Sequence, residues 1–199
     1  MGVILYTYQN EVYVNLTNKC SCNCVFCVRS RTDTINGKDV MWHDADPTLE
    51  EVVAAMDDFD FTGYDELVYC GYGEPTCALD VLLESAKYFK KKHALKIRLN
   101  TNGIGRLYNG RNILPELNEV VDAYSISLNA PNAKRYDEIV RPQFQGAFDE
   151  MLSFSKEVKA SGKEITFSVV TYISGEEVEE CKRLAEKLAI PLKVREFAQ

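Results

Sequence analysis

Residues 17–31 read Thr17-Asn18-Lys19-Cys20-Ser21-Cys22-Asn23-Cys24-Val25-Phe26-Cys27-Val28-Arg29-Ser30-Arg31, and Cys20, Cys24 and Cys27 stand in the pattern C-x3-C-x2-C. A fourth thiol, Cys22, falls inside the same stretch. Thiols this close in a loop seldom reach the Cα separation and orientation a disulfide needs. Soft thiolates select zinc or iron–sulfur clusters instead, so the stretch reads as a metal centre. A closed structural zinc site wants four ligands, usually as two pairs a dozen or more residues apart. No second pair follows here, and His43 and His93 are the only histidines. Three cysteines can fill three corners of a 4Fe–4S cube and leave the fourth iron open, and an open metal position is where chemistry occurs.

Strand and helix signals alternate on either side of this loop. Val3 to Tyr8 and Val12 to Leu16 read as a strand pair around Gln9-Asn10-Glu11, and the second delivers Cys20 just past its end. Residues 1–11 are thus an N-terminal strand extension, and 28–46 a polar tail of the cysteine loop with a turn signal at Asn36-Gly37. Arg29, Arg31, Lys38, Trp42 and His43 lie in this tail, as a solvated cover or as groups that touch substrate or cofactor. Asp46-Pro47-Thr48 opens a helix with Pro in the first turn and Thr48/Glu51 as a capping box. Strands follow at Glu66–Gly71, Lys96–Asn100, Asp122–Leu128, Glu164–Thr171 and Leu192–Glu196. Helices are expected at Asp80–His93, near Leu114–Val120, at Asn132–Val140, at Phe144–Ala160 and at Ser174–Ala189, the last with Ser174/Glu177 as a second capping box.

Six strands separated by helices predict parallel pairing through right-handed crossovers. Eight such units close a barrel of typically about 250 residues; this chain of 199 has room for six. The expected fold class is α/β, a partial (β/α)6 TIM-like barrel in one domain spanning 1–199, with a doubly wound sheet as the alternative the pattern leaves open. Barrels of this kind build sites at the C-terminal strand ends. Cys20 falls there, as do Cys70 to Pro75, Asn100 to Gly103, Ser125 to Asn129, and Arg195-Glu196.

Composition narrows the class further. A hydrophobic content of 46% supports a good core, and no apolar run is long enough to span a membrane. The N-terminus lacks a basic region followed by an apolar stretch, so no signal peptide is expected. Seven cysteines, an odd number, read as a cytosolic metal protein rather than a secreted disulfide scaffold. The net charge of −7 argues against a general nucleic-acid binder.

The C-x3-C-x2-C pattern, with Phe26 before its last cysteine, resembles the signature of the radical S-adenosylmethionine (radical SAM) enzymes. The runs N-L-T-N-K-C-S-C-N-C-V-F-C-V-R-S and Y-C-G-Y-G-E-P-T are similar to the TatD-associated group of that superfamily. The resemblance implies a radical SAM core, a 4Fe–4S cluster on Cys20, Cys24 and Cys27, and S-adenosylmethionine (SAM) as the second cofactor. It implies reductive cleavage of SAM to a 5′-deoxyadenosyl radical that abstracts hydrogen from a substrate, with electrons from a donor such as flavodoxin or ferredoxin. Gly71, Tyr72, Gly73, Glu74 and Pro75, similar to the family's G-G-E-P motif, would bind the amino group of SAM, with Tyr72 between the glycines as the departure. Asn100 would meet the ribose, Ser127 and Asn129 the ribose or the methionine carboxylate, Arg195 the nucleoside, and Phe26 the adenine. A glycyl-radical-enzyme activase and a carboxydeazaguanine-synthase-like enzyme are narrower variants. A non-catalytic zinc or iron–sulfur module is the remaining alternative. Cys181 lies on an apolar helical stripe and reads as buried, Cys70 and Cys77 flank the Gly-Glu-Pro turn, and Cys22 either faces away from the cluster or is a reactive thiol.

Overall fold

The computed structural model describes residues 2–35 and 37–197. Asn36 of the expected turn, the first residue of the N-terminal extension and the last two of the chain lie outside the described residues. In chain order the strands are β1 (Leu5–Tyr8), β2 (Glu11–Val14), β3 (Thr34–Ile35), β4 (Asp39–Val40), β5 (Glu66–Tyr69), β6 (Lys96–Thr101), β7 (Ala123–Ser127), β8 (Glu164–Val170) and β9 (Leu192–Arg195). The helices are α1 (Leu49–Asp58), α2 (Leu79–Lys92), α3 (Gly105–Asn109), α4 (Leu114–Val120), α5 (Ala133–Val140), α6 (Ala147–Ala160) and α7 (Gly175–Leu188).

Seven strands are hydrogen-bonded in the order β1-β2-β5-β6-β7-β8-β9. β1 runs antiparallel to β2, whereas β2/β5, β5/β6 and β8/β9 are parallel. A doubly wound sheet must reverse its strand order at a switch point. From β2 onward each strand of the main sheet lies next to its successor, so the (β/α) succession is that of a partial (β/α)6 barrel. The doubly wound alternative is excluded by this order.

The chain packs as two compact units. The first comprises residues up to Cys20, Val28–Asn100 and Pro115–Ala123; the second comprises Ser21–Cys27, Thr101–Leu114 and the chain from Tyr124 on. In the first, period-two alternation puts Val12, Leu67 and Ile97 in one cross-strand row and Val14, Tyr69 and Leu99 in the next. All six are fully buried. Leu82, Ala86 and Phe89 of α2 are fully buried as well, and the Tyr69 hydroxyl lies 2.8 Å from Ser85 Oγ on that helix. A buried phenol without such a partner would carry the cost of an unmet hydrogen bond. A second cluster joins Tyr6, Tyr13, Met41, Val68 and Tyr72, with Trp42 and Cys70 packed on it. Burial, with the nearby Cys70, raises the Tyr6 phenol far above its usual value.

In the second unit α6 buries Phe148, Met151, Phe154 and Val158, and α7 buries Val178, Cys181 and Ala185. The expected stripe on α7 is therefore present. Burial pushes the Cys181 thiol up to about 12, with Glu177 and Glu180 adding to the shift. The fold thus favours the neutral thiol, so this contribution is complete below an unfolded value near 9 and is lost as pH rises towards 12. Cys181 is expected to be the slowest cysteine to alkylate in the native protein at pH 8; labelling it as fast as a denatured control would contradict this burial.

Both capping boxes form, Thr48 with Glu51 and Ser174 with Glu177. Three expectations need correction. Thr48 is the N-cap of α1, so Pro47 precedes the helix and does not occupy its first turn. α6 begins at Ala147 and not at Phe144, because Gly146 before it takes a left-handed φ of 70°. The 28–46 tail is not merely a solvated cover. It contains a 3-10 turn at Val28–Ser30 and the β3/β4 hairpin, and it inserts Met41 and His43 into the interior.

Candidate active site

The segment from β2 to Cys20 is fixed from several directions. Asn15, fully buried, donates through Nδ2 to Met41 O at 2.8 Å and to Val3 O at 3.2 Å. Its Oδ1 accepts the Tyr72 N–H at 3.2 Å, and its carbonyl lies 3.0 Å from His43 Nε2. One side chain therefore ties the N-terminal strand, the tail and the Gly-Glu-Pro turn to the strand that leads to the cysteines. Just beyond, Asp46 accepts from Thr17 Oγ1 at 2.8 Å and pairs with Lys19 Nζ at 2.7 Å. Burial alone would raise the Asp46 carboxyl, but the hydrogen bonds from Lys19, Thr17 and the Asn18 amide outweigh it and hold the group below the usual carboxylate range.

The Gly71-Tyr72-Gly73-Glu74-Pro75 turn follows β5 and lies against this segment. The Glu74 N–H donates to Lys19 O at 2.8 Å. A Cβ on Gly73 would sit 2.2 Å from Thr17 O, and one on Gly71 would sit 2.1 Å from Asn15 Oδ1. Both glycines are thus required by close approach of two chain segments. Glu74 is 5% exposed. It caps the short helix Pro75–Ala78, its Oε1 accepting from Thr76 Oγ1 at 2.8 Å and from the Thr76 N–H at 3.3 Å. Tyr72 is buried, with its ring edge-on to Trp42 and its hydroxyl donating to Thr32 O. Its side chain anchors the tail. Arg29 Nη1 donates to Asn18 O and Tyr72 O, and Trp42 Nε1 to Asp33 Oδ1. Arg31 and Lys38 are exposed.

In the second unit, the Cys27 N–H donates to Cys24 O at 3.1 Å, a turn that sets the spacing of these two ligand candidates. Phe26 meets Tyr172, ring centroids 5.5 Å apart, and Tyr172 meets Phe197 at 5.4 Å. At the end of β6, Asn102 donates through Nδ2 to Ser21 Oγ at 3.0 Å and to Cys22 Sγ at 3.5 Å. After β7, Asn129 is buried with a left-handed φ of 56°, and its N–H donates to Ser168 O at 3.3 Å. Ser127 and Arg195 are half-buried at the ends of β7 and β9.

No disulfide joins the cysteines, and Cys20, Cys24 and Cys27 are all partly exposed. Among the described residues no three His, Cys, Asp or Glu side chains are grouped around a single-ion position. Soft, accessible, disulfide-free thiols nevertheless form the donor set a cluster takes. At the end of β6, Asn100 Oδ1 is buried with no hydrogen-bond partner among the described residues, an acceptor available to a ligand hydroxyl. These residues fit the two cofactors that the motif implies.

Asn15 and Tyr172 escaped the reading of the sequence, and Asn102 entered it only within the Asn100–Gly103 strand end, with no role of its own. Asn15 carried a signal, since it is a polar residue inside the otherwise β-forming run Val12 to Leu16. Tyr172 had no marker at all.

A family model described as the Radical SAM superfamily matches residues 14–188. Among solved structures, a radical SAM methyltransferase from Sphaerobacter thermophilus matches with a TM-score of 0.65 at 17% identity, over 96% of this chain and 68% of that one. Methylornithine synthase matches with a TM-score of 0.67 at 14% identity, over 94% of this chain and 53% of its own. The protein anSMEcpe, solved with AdoMet and a peptide bound, matches with a TM-score of 0.62 at 14% identity, over 93% and 50%. The chain thus spans about two thirds of the first of these structures and about half of the other two. No curated protein matches the sequence. Among the described residues, no helix is long and apolar enough to cross a membrane.

Proposed function

This chain belongs to the radical SAM superfamily, and we propose that it is the catalytic core of an enzyme that removes a hydrogen atom from an unidentified substrate. The family makes it a radical SAM enzyme with a 4Fe–4S cluster and SAM as cofactors. When bound, these supply a 5′-deoxyadenosyl radical by one-electron cleavage of SAM, while the protein binds, orients and excludes water.

Cys20, Cys24 and Cys27 would hold the cluster and leave one iron for SAM. Glu74, with Gly71, Tyr72, Gly73 and Pro75, would receive the amino group of SAM, a cation that a carboxylate at 5% exposure is suited to attract. Asn100 would accept from the ribose, Ser127 and Asn129 would hold the ribose or carboxylate end, Arg195 the nucleoside, and Phe26, backed by Tyr172, the adenine face. A flavodoxin- or ferredoxin-like protein would supply the electron. The runs around Cys20 and Gly71 favour the TatD-associated group within the superfamily.

The observation that carries the reading is the contact of the Glu74 turn with Thr17–Lys19, immediately ahead of Cys20. It brings the proposed amino-group site to the chain segment that enters the cysteine motif. The named structural neighbours include a methyltransferase and a synthase, so the fold does not choose the reaction. Anaerobic reconstitution tests the proposal. Iron and sulfide should be taken up, and 5′-deoxyadenosine should appear only with reductant and SAM. Zinc uptake with intact SAM would leave a non-catalytic metal module.

A further inference from the structure

The cysteine loop holds one more thiol than an open cluster can use. Cys22 lies two residues from Cys20 and two from Cys24, and its sulfur is as soft a ligand as theirs. If it reached the fourth iron, its thiol would release a proton to solvent and its sulfur would donate an electron pair in place of the amino and carboxylate groups of SAM. The cluster would then be closed, and closed metal sites serve as scaffolding.

The second unit carries a structure that opposes this. Residues 21–25 lie along the C-terminal end of α5 and the residues just after it, Ile139–Gln143. The Asn23 N–H donates to Val140 O at 3.1 Å, the Val25 N–H to Ile139 O at 2.9 Å, and the Gln143 N–H to Ser21 O at 2.9 Å. Cys22 and Pro142 face each other in an isolated antiparallel bridge. This strap comprises the last two residues of α5 and the three after it, and the helix ends at Arg141, which takes a left-handed φ of 50°, a conformation non-glycine residues adopt at a cost. Cys22 is 4% exposed, whereas Cys20, Cys24 and Cys27 all retain more exposure. The Asn102 amide donates both to the Cys22 sulfur and to the neighbouring Ser21 hydroxyl. Asn102 is itself held, because its Oδ1 accepts the Ile104 N–H at 3.0 Å.

We propose that Asn102 and the Ile139–Gln143 strap keep the Cys22 thiol out of the cluster's ligand set, so that the iron meant for SAM stays open. The inference rests on the open-iron reading above. Asn102 is here a positioning residue acting through Cys22, and Cys22 itself is dispensable for SAM binding.

The test compares wild type, Asn102→Ala, Cys22→Ala and the double variant, each reconstituted anaerobically with iron and sulfide and reduced with dithionite. The readouts are iron content and the change that added SAM makes in the electron paramagnetic resonance spectrum. Wild type and Cys22→Ala should both respond to SAM. Asn102→Ala should take up the same iron yet lose most of the response; with nine clusters in ten closed by Cys22, the apparent Kd for SAM rises about tenfold. The double variant should regain the wild-type response, which a merely structural role for Asn102 would not allow. A full SAM response in Asn102→Ala, or a double variant that stays unresponsive, overturns the proposal. A wild type that binds its cluster but shows no change with SAM overturns the open-iron reading, and this inference with it.

Discussion

Replacing Cys24 by alanine is expected to lower reductive SAM cleavage by more than about 100-fold, beyond the loss typical of an outer-shell partner of a metal site. Cys24 is partly exposed and disulfide-free, and its carbonyl receives the Cys27 N–H across the turn that spaces the two thiols. Without its sulfur, two thiolates remain from the C-x3-C-x2-C pattern, and iron uptake should fall together with activity. Cys22→Ala, which removes a buried sulfur outside the proposed ligand set, should spare both. Parallel measurement of iron, sulfide and 5′-deoxyadenosine in the two variants separates the roles. Retained cleavage in Cys24→Ala would overturn the ligand assignment.

The second large effect is expected at Gly73. A methyl group there would lie 2.2 Å from Thr17 O and 2.5 Å from Lys19 O. Both obstacles are backbone atoms of a segment fixed by Asp46 and by the Glu74 N–H, so neither can swing aside as a flexible side chain would. Overpacking of this kind costs about 1–3 kcal/mol, which for a chain of this size lowers Tm by roughly 2–12 °C. The turn must also move away from the segment ahead of Cys20, so SAM affinity should drop in Gly73→Ala. Gly175→Ala is the control. Nothing lies within 4 Å of that position, and its place at the start of α7 suits alanine. Calorimetry on both variants checks the contrast; equal melting temperatures would show that the close approach at Gly73 carries no constraint.

Much of this molecule could be read from the chain because the informative signals were local. The strand–helix alternation, both capping boxes and the α7 stripe each depend on residues within a few positions of one another. What could not be read depended on long-range pairing. Asn15 bonds to residues up to 57 positions away, and its importance becomes visible only when Gly71 and Tyr72 are brought against it. The 28–46 tail looked solvated because its composition is polar, yet Met41, Trp42 and His43 pack where Asn15, Tyr72 and Asn18 receive them. For Cys22 the sequence left two alternatives, and the distant Ile139–Gln143 strap accounts for its burial. Strand order in the sheet was the remaining ambiguity, since the succession of elements fits both a barrel and a doubly wound sheet until pairing is known.

The central claim is a cluster with one iron left for SAM. The most direct measurement is a crystal structure of the anaerobically reconstituted protein soaked with SAM. Iron is expected on the sulfurs of Cys20, Cys24 and Cys27, with SAM on the remaining iron and its amino group beside the Glu74 turn. A fourth side chain on that iron, or SAM lying apart from Glu74, would contradict it.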